Sequence, residues 1–311
     1  MSDLDRKIIL ITRRTRLQEL VARYNTVEQA RFQAEHLGMD FGDFLDEDAT
    51  YQTASAQTRQ SLEQHGRLQS LDRSHLPNFL FPPGCLVVTL GQDGLVANTL
   101  KYLHQQPLLA INPDPARWDG LLLPFGVSDL GTLLPEVMQD RRGVREVTMA
   151  KATLSDGAQL LAVNDFFIGT RSHVSARYEL ALANAHERQS SSGVIVSTGL
   201  GSTGWLRSVL TGAAAIAGES RNPALRSLRT DGFAWNAQRL VFNVREPFPS
   251  RSTSAALVFG DISPNSPLRI RSLMPEGGVI FSDGVEVDGL EFRSGLEATV
   301  TVADQKGHLL H

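Results

Sequence analysis

The chain has 311 residues, of which 41% are hydrophobic and 21% charged, as in ordinary globular proteins, and its length suggests about two domains. Its formal net charge of -4 lacks the basic field of a general nucleic-acid binder, and no apolar run approaches the roughly 18 residues of a membrane span. Cys85 is the only cysteine, which excludes an internal disulfide and a cysteine-built zinc site. Met1–Lys7 carries acids where a signal peptide needs bases, so the expected location is the cytoplasm.

In chain order, Lys7–Thr12 reads as a first strand. Two helices follow, each opened by a possible capping box, Thr15 to Gln18 and Thr26 to Gln29, with Gly38 as a stop. Asp40–Asp48 is acidic and reads as a solvated loop, and Thr50–His65 as an exposed helix ending at Gly66. Phe81-Pro82-Pro83-Gly84 leads into a buried strand, Leu86–Leu90. A Gly91-Gln92-Asp93-Gly94 turn, a helix to about His104 and the strand Leu108–Asn112 come next. Strand, helix and strand with short connections predict a parallel α/β sheet.

Composition changes near Arg141, placing an α/β domain at 1–140 and a β-rich domain at 141–297. The predicted strands of the second are Glu146–Ala152, Gln159–Ile168, Val194–Thr198, Arg239–Val244, Ala255–Phe259, Leu268–Leu273 and Val279–Phe281. One helix is expected there, Ser202 to about Ala217, followed by a polar turn at Gly218–Pro223. A last strand, Ala298–Ala303, is a candidate to return to the first domain.

Three polar islands carry chemistry. In the first, two glycines flank Asp93 where a strand runs into a helix. Glycine lets a ligand approach the backbone, and the free N–H groups of a helix start favour an anion such as phosphate. A carboxylate there repels phosphate, so it suits a base or a hydroxyl acceptor beside one. In the second, Asn164-Asp165 interrupts an apolar run, where unpartnered polar groups are costly. The pair either caps a bulge or faces a cleft to read a base or sugar. In the third, Gly199, Gly201 and Gly204 spell G-x-G-x-x-G, but no second strand ending in an acid follows as a dinucleotide-binding Rossmann unit requires. Thr198, Ser202 and Thr203 there serve either as plain helix caps or as ligand contacts.

Other patterns add little. The eight histidines show no metal-ligand spacing, and neither a G-x-S-x-G elbow nor a Walker A loop is present. Arg171 and Arg177 either reach phosphates or lie in a solvated loop, and Arg245 reads as structural.

Taken in order, Gly91-Gln92-Asp93-Gly94, Asn164-Asp165 and Ser197–Trp205 resemble the GGDG, Asn-Glu and S-T-x-T-G-S-T-A-Y signatures of the NAD kinase family. Asn112–Pro115, Phe167–Gly169, Ser191–Gly193 and Val244–Pro247 look like the branch that includes mitochondrial-type enzymes, and Ser282-Asp283-Gly284 is similar to a late family segment. The likeness lies mostly beyond Cys85. It implies an α/β N-terminal domain with a parallel sheet, a β-rich C-terminal domain, and a cleft in which ATP phosphorylates the 2′-hydroxyl of NAD. Asp93 would be the general base, and Mg²⁺ would accompany ATP. Gly91, Gln92 and Gly94 would shape the phosphate-facing turn. Asn164 and Asp165 would hold adenosine, with Thr198, Gly201, Ser202, Thr203 and Trp205 completing the nucleotide site. A homodimer or higher homo-oligomer is implied.

The chain departs from the family pattern in several places. Gln92 replaces a glycine, Asp165 is a methylene shorter than glutamate, Gly204 replaces alanine, and Ser192 precedes Gly193 where many members have aspartate. The long insertion of full mitochondrial-type enzymes between Met149 and Leu161 is missing. Two alternative readings follow: a kinase of a sugar, nucleoside or lipid, and an inactive dinucleotide-binding sensor.

Overall fold

A computed structural model describes residues 6–218 and 222–311, so the acidic Met1–Asp5 stretch and Glu219–Arg221 of the expected turn lie outside it. The chain divides into two compact units. One runs to Arg145 and takes back His308–His311, and the other spans Glu146–Gly307.

In the first unit, β1 (Lys7–Thr12) is followed by three helices, α1 (Arg16–Tyr24), α2 (Val27–His36) and α3 (Phe41–Glu63), before β2 (Arg67–Asp72) and β3 (Leu86–Leu90). Then come α4 (Asp93–Leu100), β4 (Pro107–Asn112), a two-residue β5 (Phe125–Gly126) and α5 (Leu130–Met138). The strands run parallel in the order β2-β1-β3-β4, with β5 beyond β4. Buried on both faces, β1 and β3 need the continuous apolar runs Ile8–Ile11 and Leu86–Leu90 that the sequence supplies. Thr15 and Gln18 form a complete capping box on α1, whereas Thr26 makes only its half of one on α2.

Two expectations are corrected here. Asp40–Asp48 is not a solvated loop. Asp40 accepts the Gly42 N–H at 2.8 Å, and the segment forms the first turns of α3. Its carboxylates looked solvated because their partners lie far off in sequence: Asp43 pairs with Arg16 and Arg117, each at 2.6 Å, and Glu47 with Arg13 at 2.9 Å and with Arg16. Second, α4 stops at Leu100 rather than about His104.

The second unit opens with β6 (Val144–Leu154), β7 (Gln159–Ala162), β8 (Asp165–Thr170), β9 (Ala176–Leu182), β10 (Ala185–Ser191) and β11 (Val194–Ser197). Helices α6 (Trp205–Ala217) and α7 (Pro223–Asp231) precede β12 (Leu240–Val244), β13 (Phe259–Ile262), β14 (Leu268–Ser272), β15 (Gly278–Ser282), β16 (Val285–Glu291) and β17 (Glu297–Leu310). One sheet has the antiparallel order β13-β12-β11-β8-β15-β16. In the other, β10, β9, β14 and β17 pair in that order, and β6 joins β17 to β7. Phe166, Ile168, Val196 and Phe242 of the first sheet share a core with Tyr178, Leu180, Ile270 and Val300 of the second, a β-sandwich.

Several strand readings shift. The expected Gln159–Ile168 strand breaks at Val163-Asn164, and the expected Ala255–Phe259 strand begins only at Phe259. Three strands (β9, β10, β16) and α7 were not anticipated: β10, β16 and α7 are rich in polar residues, and the buried face of β9 is only Ala176, Tyr178 and Leu180. No helix among the described residues is long and apolar enough to cross a membrane.

Candidate active site

In the first unit the chain leaves β1 toward β2 on one side and β3 toward β4 on the other. Open α/β sheets bind ligands outside the carboxyl ends of strands at such a switch point. The Gly91–Gly94 turn lies there. Gln92 is the N-cap of α4 and makes no side-chain cap bond, and Asp93 is the first helical residue. Asp93 Oδ1 accepts the Leu122 N–H at 2.7 Å, which fixes the carboxylate and leaves its second oxygen for another partner. Gly91 packs closely on α4, since a Cβ there would come within 2.8 Å of a Leu95 methyl and push that side chain aside. No such crowding applies at Gly94.

A buried ion pair braces this turn. The side chains of Arg13 and Glu47 are 8% and 3% exposed, and the Arg13 guanidinium lies over the Tyr51 ring. The Tyr51 hydroxyl accepts the Arg13 N–H and donates to Leu90 O, each at 3.1 Å, joining the ends of β1 and β3.

The second unit has its polar island on the six-stranded sheet. β15 and β16 meet in a two-residue turn, Asp283-Gly284, with φ of 56° and 72°, as such hairpins demand. The Asp283 carboxylate accepts the N–H groups of Val163, Asn164 (2.6 Å) and Asp165 (3.3 Å). Those bonds satisfy the backbone where β7 gives way to β8 and place Asn164 and Asp165 at the head of β8. Burial of its carboxyl raises the Asp165 pKa to about 7, opposed by the hydrogen bond from Ser197 Oγ and reinforced by the charge of Asp283.

Ser197–Gly204 folds over this point. Thr198 donates its hydroxyl to Val163 O at 2.5 Å and its N–H to Asn164 O at 2.9 Å. Ser202 donates to Gly199 O at 2.6 Å and accepts the Phe233 N–H at 3.1 Å. Both hydroxyls are fully buried, so the geometry accounts for them as fasteners of the loop rather than as ligand contacts. Thr203 Oγ1 makes only a 3.5 Å contact with Leu200 O. A Cβ at Gly201 would overlap the Asn164 carbonyl, and one at Gly199 the Ala234 carbonyl. Both glycines are needed for close backbone packing. Gly204 begins α6 without a side-chain cap.

Strand register puts Asp283, Asp165 and Ser197 in one row across the sheet, Phe281, Phe167 and Ile195 in the next, and Gly169 with Gly193 in a third. The opposite face of the same strands carries the core residues Phe166, Ile168 and Val196. Trp205 reaches the face that carries Asp165 and Phe167. It stacks on Phe167 with centroids 5.9 Å apart, and Phe167 packs on Phe281 at 5.0 Å.

Of the expected residues, Gly91, Gln92, Asp93 and Gly94 share one turn, while Asn164, Asp165, Thr198, Gly201 and Ser202 share one cluster. Asp283 appeared in the sequence as a family likeness, and its Asp-Gly turn signal explains its place. Nothing in the sequence marked Tyr51. Among the described residues no three His, Cys, Asp or Glu side chains group to hold a metal ion.

No protein-family model and no curated protein matches this sequence. Solved structures do resemble it. A yeast NADH kinase complexed with NADH aligns over 98% of this chain and 83% of its own, with 17% identity and a TM-score of 0.56. An NAD kinase from Archaeoglobus fulgidus in complex with ATP aligns over 98% and 93%, with 15% identity and a TM-score of 0.55. The chain thus has the two-domain fold of NAD kinases.

Proposed function

We propose that the chain is an NAD kinase-type phosphotransferase that moves the ATP γ-phosphoryl group to the 2′-hydroxyl of NAD. The observation that carries this reading is Asp93, fixed by Leu122 N–H at the switch point of a fold shared with NAD and NADH kinases. The free Asp93 oxygen takes the 2′-hydroxyl proton, the ribose oxygen bonds to the γ-phosphorus, and the bond to ADP breaks. Gln92, with no cap bond of its own, has a carboxamide available to the donor phosphates. Asn164 and the Asp165 carboxyl hold the adenosine; Gly201 lets the covering loop close on them. Mg²⁺ bound to the incoming triphosphate would supply neutralisation of part of its charge, with the phosphate oxygens rather than a cluster of carboxylates among the described residues as its main ligands.

The test is NADP formation from NAD, ATP and Mg²⁺ by wild-type and Asp93→Asn protein. Asparagine keeps an oxygen for the Leu122 N–H but cannot take the proton. A fall in kcat of about 10²–10⁴-fold with unchanged melting temperature is expected. A robust rate in the variant removes Asp93 as base.

A further inference from the structure

The carboxylate of Asp93 is held from outside its own helix. The bond that fixes it comes from Leu122, in the loop of residues 113–124 that joins β4 to β5 without helix or strand. A loop of that length holds nothing in place unless something orders it. Whatever orders this one sets where Asp93 points.

The side chain of Asn112, the last residue of β4, does so. Asn112 is 3% exposed, and both ends of its amide are used within the loop. Oδ1 accepts the Asp114 N–H and Nδ2 donates to Trp118 O, each at 3.0 Å. A backbone N–H only donates and a carbonyl only accepts, so this pair of partners calls for an amide. Aspartate lacks the donor, glutamine sets both atoms a methylene further out, and alanine has neither group. The next turn packs on the same amide. Gly120 has a left-handed φ of 63°, and a Cβ on it would lie 2.8 Å from Asn112 Nδ2. Gly120 O then accepts the Leu123 N–H at 3.0 Å, and in this turn the buried Leu122 presents its N–H to Asp93 at 2.7 Å.

A second tether is weaker. Arg117 reaches Asp43 of α3 at 2.6 Å and Asp114 at 3.4 Å, but its side chain is 26% exposed and that of Asp43 39%. Ion pairs with this access to water contribute little, whereas a buried carbonyl or N–H that loses its partner is costly. The amide outweighs the ion pair.

We infer that Asn112 is a positioning residue, which orders the loop that aims the Asp93 carboxylate and acts on Asp93 only through Leu122. The inference rests on the kinase reading for its kinetic consequence, while the order of the loop is read without turnover.

Amide hydrogen exchange of the full chain, resolved by NMR, and NADP formation are the two readouts. In the wild type the Leu122 N–H is expected to exchange at least about 100-fold more slowly than that of its exposed neighbour Leu121. Asn112→Ala is expected to remove most of that protection while the β3 amides keep theirs. It is also expected to lower kcat by about 10–100-fold with KM for NAD within about twofold, where a general loss of structure would raise KM as well. Gly120→Ala displaces the same amide and is expected to give the same pattern. Arg117→Ala is expected to change either readout by less than about threefold. Unchanged Leu122 protection in the two loop variants overturns the inference, and so does an equal loss in Arg117→Ala. Lost protection with kcat unchanged overturns it too. Should neither loop variant fold, the wild type decides: a Leu122 amide that exchanges as fast as Leu121 overturns the inference, and a protected one upholds it. A wild type that forms no NADP defeats the kinase reading, whereas lost protection in Asn112→Ala still upholds the ordering of the loop.

Discussion

The Tyr51 hydroxyl donates to the carbonyl of Leu90, the residue that ends β3 immediately before the Gly91–Gly94 turn. The same oxygen accepts the N–H of Arg13 just beyond β1, so one phenol from α3 fixes both strand ends at the switch point. Tyr51→Phe leaves a buried carbonyl and an N–H without that partner. It is expected to cost about 1–3 kcal/mol in urea denaturation. If the turn carries the base, kcat in the NADP assay falls with it while KM for NAD changes little.

Gln92→Gly separates two explanations of the altered turn. Gln92 makes no cap bond, and glycine is tolerated at an N-cap, so the melting temperature is expected to stay within a degree or so of wild type. The rate of NADP formation is expected to fall, as the carboxamide contact to the donor is lost. A large gain instead would mark a chain whose catalysis was lost when the glycine was replaced.

Asp165 gives stability a pH dependence of definite sign. Its folded pKa, about 7, lies above its ordinary 3.8, so between those values the folded state binds the extra proton. This contribution is full below about pH 4 and is lost as pH rises through 7. Asp165→Asn, an uncharged mimic of the protonated acid, is expected to remove that loss. Denaturation midpoints of variant and wild type should diverge in the variant's favour from pH 4 to 7 and run parallel above it. Parallel curves throughout would exclude Asp165 as the titrating group.

Two glycine-to-alanine changes should act in opposite directions. At Gly201 the new methyl overlaps the Asn164 carbonyl, and a loss of about 2 kcal/mol or more is expected, with much of the expressed chain insoluble. Gly212 sits within α6 facing open space, and alanine there is expected to add about 0.5–1 kcal/mol through helix propensity. Chemical denaturation of the two variants provides the check.

The sequence showed those parts of the molecule where local pattern and burial coincide. Ile8–Ile11 and Leu86–Leu90 are continuous apolar runs because both faces of those strands are covered, and they were read as strands. Asn164-Asp165 stood out because polar residues interrupted such a run. What the sequence hid was long-range compensation. The carboxylates of Asp43 and Glu47 read as solvent-facing, since nothing local shows that Arg13, Arg16 and Arg117 will neutralise them. Thr198 and Ser202 looked like ligand donors because a hydroxyl in a glycine-rich turn has the same signature whether it meets a phosphate or a carbonyl. Only the positions of Val163 O and Gly199 O decide between those uses.

β17 runs through fourteen residues, pairing with β14 near its start and, at His308 and Leu309, with Pro107 and Leu108 of β4. Leu310 is buried in the core of the first unit with Leu109 and Ile111. The unit that contains Lys7 is therefore completed only after the whole of Glu146–Gly307 has been made. Until His308–Leu310 emerge, the outer side of β4 lacks its partner there and the apolar pocket for Leu310 stays empty. Expression of a fragment ending at Arg145 should yield an aggregation-prone intermediate rather than a smaller stable protein, and adding the last strand in trans should rescue it.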